Sequence, residues 1–161
     1  MSQSTDRTYT ESQVILSAVR IIAPFTMTYG LFLALHGADT PGGSFQGGAI
    51  IGVTFLMLGF AFGIDATREW IPNRAVTLLV TGGVAIFIGV GLATMALGGA
   101  FLQYELFDTL LGIPDGTKWG MEAIEVGGIA AIVSGVVITL FFATAAQFIP
   151  ERNDPGEVSE E

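Results

Sequence analysis

Apolar and small residues fill four long runs of this chain, Val14 to Leu35, Phe45 to Ile64, Ala75 to Leu97 and Val126 to Phe148, and charged residues gather between and beyond them. None of the runs keeps the polar face that a helix on the surface of a water-soluble domain shows. A helix needs about 20 mostly apolar residues to cross about 30 Å of hydrocarbon, and each run supplies that length. The pattern predicts an all-α integral membrane protein with four transmembrane helices. The first run is not expected to be a cleaved signal peptide: its apolar stretch is too long, and Met1 to Gln13 before it carries Asp6 and Glu11 against one Arg7. With 161 residues mostly spent on spans, one compact helical unit is expected, a membrane domain over 14–148 between an N-terminal tail 1–13 and an acidic, disordered C-terminal tail 149–161.

The connections have patterns of their own. After the third run, Leu102, Leu106, Leu110 and Ile113 recur at helical spacing while Gln103, Glu105, Asp108 and Thr109 fall largely elsewhere, which predicts a short amphipathic segment along the membrane surface. Pro114-Asp115-Gly116 reads as a turn, because proline presets its own φ and glycine tolerates positive φ. Trp119 then anchors the fourth helix at the interface.

Inside the runs, small residues form stripes. Gly48, Gly52, Gly59 and Gly63 are spaced four, seven and four apart, Gly82, Ala85, Gly89 and Ala93 mark a face of the third helix, and Gly128, Ala131 and Gly135 one of the fourth. Helices in lipid associate through close backbone contact, which small residues at every fourth position allow. Packing within the chain and docking of other membrane subunits both fit these stripes.

Charge sets an expected orientation. Arg7, Arg20, Arg68, Arg74 and Arg152 fall on one side of the predicted spans and Lys118 alone on the other, so both termini are expected in the cytoplasm of a cell membrane, with the His36 to Gly43 loop and the Gly98 to Glu122 segment outside. A formal charge of −9, concentrated in the C-terminal tail, speaks against nucleic acid as a partner. With no cysteine and one histidine, no thiol chemistry and no cysteine or histidine metal site is expected.

Ionisable groups near the spans are the candidates for chemistry, because burying one costs at least a few kcal/mol. Glu125 stands first, just ahead of the uncharged run from Val126 to Pro150. It suits an ion or proton relay, and equally a carboxylate favoured by the helix dipole near an N-terminus. His36, at the outer end of helix one, could sense external pH or cap the helix. Asp39 and Thr40 before Pro41 read as turn formers, with Asp39 also able to meet an external cation. Arg20 is expected to snorkel towards headgroups. Pro24 removes a backbone donor, which frees a carbonyl that hydrocarbon cannot satisfy and so predicts a buried setting.

Gly30-Leu31-Phe32, His36-Gly37, Pro41-Gly42-Gly43, Phe45 and Gly47-Gly48 together resemble the signature of the MnhB subunit of the multisubunit Na+/H+ antiporter, the Mrp or Mnh family (MnhB-type domain), which reads roughly G-h-x-x-P-G-G-G-F-x-G-G after helix one. The resemblance runs from Val14 to about Phe148. Glu125-Val126-Gly127 takes the place where the family often shows Asp followed two residues later by Gly, and Ser44 replaces the third loop glycine, where it could cap helix two.

The resemblance implies a non-catalytic subunit of a hetero-oligomeric transporter, in which large subunits exchange protons and small ones, the MnhB type included, help form the complex and its sodium route. Its partners would be the other membrane subunits, the bilayer, and transported Na+ and H+, with no cofactor. An MnhB-like subunit of a membrane-bound hydrogenase-type complex and a purely structural scaffold are the alternatives. An enzyme has little support: no nucleophile–base pair can be assembled, and the glycine-rich loop lacks the lysine of a phosphate site.

Overall fold

A computed structural model describes residues 12–36 and 42–147. The acidic tail 149–161 and most of the tail 1–13 lie outside the described residues. The described chain forms α1 (Gln13–Leu35), α2 (Ser44–Phe62), α3 (Ile64–Trp70), α4 (Asn73–Ala96), α5 (Glu105–Thr109), α6 (Gly116–Glu122), a π-helical segment (Ala123–Ala130) and α7 (Ala131–Gln147). Four helices are long and apolar enough to cross a membrane, and the last runs unbroken from Gly116 to Ala145 through α6, the π segment and α7. It begins ten residues before the apolar run expected at Val126. Lys118 and Glu122 interrupt the apolar pattern but are i,i+4 neighbours, 3.8 Å apart, and so continue the helix rather than end it.

The four spans pack as a row, in which α1 also reaches the π segment of the fourth span. α1 packs on α2, α2 on α7 and the π segment, and α4 on the opposite side of that same fourth span. Buried apolar residues are correspondingly few and mostly line these seams: Ala23, Leu33 and Ala34 on α1, Ala61 on α2, and Ala130, Ile138 and Phe142 on the fourth span. Outward faces keep large apolar side chains uncovered, among them Val14 (77 % exposed), Phe25 (73 %) and Leu78 (71 %). Such surface is stable only against lipid or another apolar protein face.

Backbone contact through glycine builds the row. A Cβ at Gly47 would lie 2.5 Å from Ala34 N and 2.8 Å from Gly30 O, and one at Gly48 would lie 2.6 Å from Ala130 O. These adjacent residues thus seat α2 against α1 and the fourth span at once. Further along, Gly52 faces Val137 and Gly59 the Phe141 ring, each at 2.7 Å from the same hypothetical atom. The Thr54 and Thr26 hydroxyls meet at 3.1 Å across α1 and α2.

Not every expected packing glycine packs. Gly63 is the C-cap of α2, with φ 94° and open space where a side chain would be. Its carbonyl accepts from both Thr67 N–H (3.1 Å) and Thr67 Oγ1 (2.9 Å), which starts α3 at once. Gly82 and Gly89 also face open space, whereas a Cβ at Gly83 would lie 2.8 Å from Ile132 and 2.9 Å from Gly128 O. Gly128 and Gly135 are buried against α4.

Pro24 sits within an unbroken α1 on its exposed side, contrary to the buried setting expected. Thr28 Oγ1 donates to the Pro24 carbonyl at 2.8 Å, and Thr26 Oγ1 to Ala23 O at 3.0 Å, so local hydroxyls bond backbone carbonyls in this stretch.

Within the segment 97–115 the helical spacing of Leu102, Leu106, Leu110 and Ile113 becomes helix only at α5 (Glu105–Thr109). Positive φ at Gly98 (89°), Leu102 (61°) and Gly112 (63°) breaks the helical path and leaves the five-residue α5. The Phe101 ring tucks over Gly91 and lies 6.1 Å from Phe87, while Thr94 Oγ1 bonds Gly91 O (2.8 Å) and Ala100 O (3.0 Å). The expected turn is present, with Gly116 N–H bonded to Ile113 O at 3.0 Å. Asp115 takes the positive φ (56°) instead of Gly116, whose lack of a side chain serves packing: a Cβ there would lie 2.8 Å from the Phe107 backbone.

Candidate functional site

The end of the row that holds His36 also holds Glu125, and the two lie in different surroundings. Glu125 is part-buried in the π-helical stretch, whose neighbours Ile124, Gly128 and Ala130 are buried between α2 and α4. A π-helix widens the turn, is rare, and is frequently found at functional sites. The close seats at Gly48–Ala130 and Gly83–Gly128 bracket the stretch from both sides. Among the described residues no hydrogen bond or ion pair engages the Glu125 carboxylate.

The 97–115 hairpin closes over this end. A Cβ at Gly120 would lie 2.6 Å from the Tyr104 ring and 3.1 Å from the Phe107 ring, so both aromatics rest on the first turns of the fourth span. Burial, and then the negative charge of Glu125, raise the Tyr104 phenol above its ordinary range, which puts the hydroxyl within the carboxylate's field. Asp108 latches the hairpin. Its Oδ1 accepts from Gly116 N–H at 2.6 Å, and its Oδ2 from Thr117 N–H at 2.9 Å and from the Thr117 hydroxyl. These bonds, led by the hydroxyl, hold the Asp108 carboxyl below the usual carboxylate range. A helix N-terminus with free N–H groups favours such a carboxylate.

His36 is the C-cap of α1, exposed, stacked on Phe32 with ring centroids 4.6 Å apart, and its Nδ1 lies 3.2 Å from Phe32 O, where only a ring N–H can donate. Asp39 lies outside the described residues, as do Gly37 and Pro41 of the signature loop. The remaining signature residues build helix α2: Gly42 turns the chain at φ 111°, Gly43 is the N-cap and donates its N–H to Gln46 Oε1 (2.9 Å), Phe45 points outward, and Gly47 and Gly48 make the close seats. Ser44 does not cap α2 as expected. It is the first helical residue, 3 % exposed, and among the described residues its Oγ has no partner; the N-cap amide is bonded by Gln46. At the other end, the Arg20 guanidinium lies 5.5 Å from the Phe62 ring and that of Arg68 lies 5.6 Å from Phe142. Arg20 thereby reaches the level where α2 ends, and its guanidinium is held by the Phe62 ring.

Tyr104 and Asp108 were not singled out by sequence. Asp108 had a readable signal, an acidic residue shortly before a Pro-Asp-Gly turn and a helix start. Tyr104 had none. No group of three or more metal-ligating side chains occurs among the described residues.

Four apolar spans in a row, with polar groups gathered at their ends, define a multi-pass integral membrane protein. Residues 14–139 match the family described as "Domain related to MnhB subunit of Na+/H+ antiporter", and the chain belongs to that family. It is similar to the "Putative antiporter subunit mnhB2" of Staphylococcus saprophyticus, 28 % identical over 135 residues that cover 83 % of this chain and 94 % of the relative. The protein of the same name from Staphylococcus aureus strain MRSA252 is 27 % identical over the same shares. An Na(+)/H(+) antiporter subunit of Bacillus subtilis is 23 % identical over 133 residues, 81 % of this chain and 91 % of that one. The matched region takes in the glycine loop and the π-helical stretch with Glu125.

Proposed function

We propose that this chain is the non-catalytic MnhB subunit of a multisubunit Na+/H+ antiporter, a transporter component in the cell membrane with both termini in the cytoplasm. Membership of the MnhB family and the names of the relatives support the subunit assignment. The five-to-one division of basic residues supports the orientation. Other membrane subunits are its partners, and the uncovered α4 face with Gly82, Ala85, Gly89 and Ala93 is where a neighbouring helix fits.

Within that assembly Glu125 is the group that handles the transported Na+ or H+. The observation that carries this reading is a part-buried carboxylate, without a bonded partner among the described residues, in a π-helical stretch of a membrane span. A carboxylate so placed can exchange a proton for a cation with little rearrangement, and a change in its occupancy would be passed on through contacts with neighbouring subunits. His36 has a weaker case, because its stacking on Phe32 already accounts for it as a cap. Asp39 remains a candidate on sequence alone.

Glu125→Gln tests the assignment. The expected result is a complex that assembles normally and loses Na+-dependent proton transport by about a hundredfold or more, the loss typical of removing a proton-transfer group. Unchanged transport, or transport and assembly lost together, would leave the scaffold reading in its place. Mass spectrometry of what co-purifies with the chain from its own membranes separates an antiporter assembly from a hydrogenase-type one.

A further inference from the structure

Two adjoining cavities between α4 and α7 form one trough at the end of the row opposite Glu125. The first, about 310 Å³, opens at Arg68 and Asn73 and is walled by Val76, Thr77, Thr139 and Phe142. The second, about 290 Å³, shares Val76, Thr77 and Thr139 and continues past Val80, Val136 and Leu140. From Asn73 to Thr81 the trough follows about 12 Å of α4 towards the middle of the span. The Thr81 and Thr139 hydroxyls donate to the carbonyls of Thr77 and Gly135, both at 2.7 Å, so the inner walls present mainly methyl groups. The mouth is different. The Arg68 guanidinium is held there over Phe142, Arg74 stands exposed on the first turn of α4, and Trp70 nearby is exposed as an interfacial anchor. Asp65 and Glu69 share α3 with Arg68 but do not line the trough.

We infer that this trough binds one anionic phospholipid, with its phosphate on Arg68 and an acyl chain along Val76, Val80, Val136 and Leu140. A cationic mouth at headgroup level over a narrow apolar slot matches the two halves of that molecule. A purely apolar partner helix would cover the slot and leave the Arg68 mouth without a counter-charge. A free phosphate would use the mouth and leave the slot without purpose. The inference does not depend on any ion-handling role of Glu125.

The test uses the complex isolated from its own membranes, stripped of lipid in detergent and titrated with phosphatidylglycerol or phosphatidylcholine, with bound lipid counted by native mass spectrometry. Phosphatidylglycerol is retained in preference to phosphatidylcholine. Arg68→Gln weakens its retention about fivefold, the factor one basic group contributes beside an anionic headgroup, and Arg68→Lys restores most of it. Val136→Phe, on an exposed wall, weakens retention of either lipid by filling the slot. Equal retention of both lipids, an Arg68→Gln complex that binds like the original, or displacement of the lipid by inorganic phosphate would each overturn the assignment.

Discussion

Helices α2 and α4 carry small residues at similar spacings and use them in opposite ways. On α2, Gly48, Gly52 and Gly59 are all pressed against the fourth span, and Gly47 against α1. On α4, Gly82 and Gly89 look into open space, while Gly83, one residue from Gly82, is clamped on Gly128 and Ile132. A glycine stripe states that a backbone can come close on that side and does not state whose. Because one residue turns a helix by about 100°, neighbouring glycines can serve a finished contact and an empty one. The α2 stripe is used inside the chain, and Gly82 and Gly89 of the α4 stripe are left open.

Matched substitutions would break this contrast if it were wrong. Gly48→Leu has the largest expected effect, because the obstacle is the Ala130 backbone, which cannot move aside as a side chain can. A destabilisation of about 3 kcal/mol or more is expected, seen as loss of the monodisperse protein in detergent. Gly83→Leu should cost about 1–3 kcal/mol, since Ile132 can give way but Gly128 O cannot. Gly82→Leu and Gly89→Leu should change the thermal stability of the isolated chain by no more than about 0.5 kcal/mol, yet lower the recovery of partner subunits. Equal damage from Gly82→Leu and Gly83→Leu would mean that α4 is turned differently in the row.

The smallest expected effect concerns what ties down the far end of α4. That end is joined through the Phe101 and Thr94 contacts to the hairpin, which Asp108 latches onto Gly116 and Thr117. The folded state holds the Asp108 carboxyl below its ordinary value. Its contribution is therefore fully present above the ordinary carboxylate range and lost as pH falls through the lower native value. Hydrogen exchange at the Gly116 and Thr117 amides should quicken in acid, and in Asp108→Asn already at neutral pH, while the α2 amides stay unchanged. Amides that stay protected in Asp108→Asn would show that the aromatic contacts alone hold the hairpin.

Much of this was legible in the chain itself. Four apolar runs could only be spans, and Glu125 stood out because a carboxylate beside a long uncharged run is expensive. The glycine loop pointed to the family that the matches over residues 14–139 establish. Other features were invisible to local reading. Ser44 has the chemistry of a cap and the position of a buried first residue. Tyr104 comes to rest on Gly120 through a loop in which Leu102 and Gly112 take positive φ.

Length and hydropathy along the chain alone determined how many times it can cross a bilayer, because the cost of exposing backbone and charge to hydrocarbon acts on each segment separately. Which faces meet, which remain uncovered, and what stands beside Glu125 were decided only by tertiary structure. In lipid no difference in apolarity separates an inner face from an outer one, and the choice falls to backbone contacts between residues far apart in sequence.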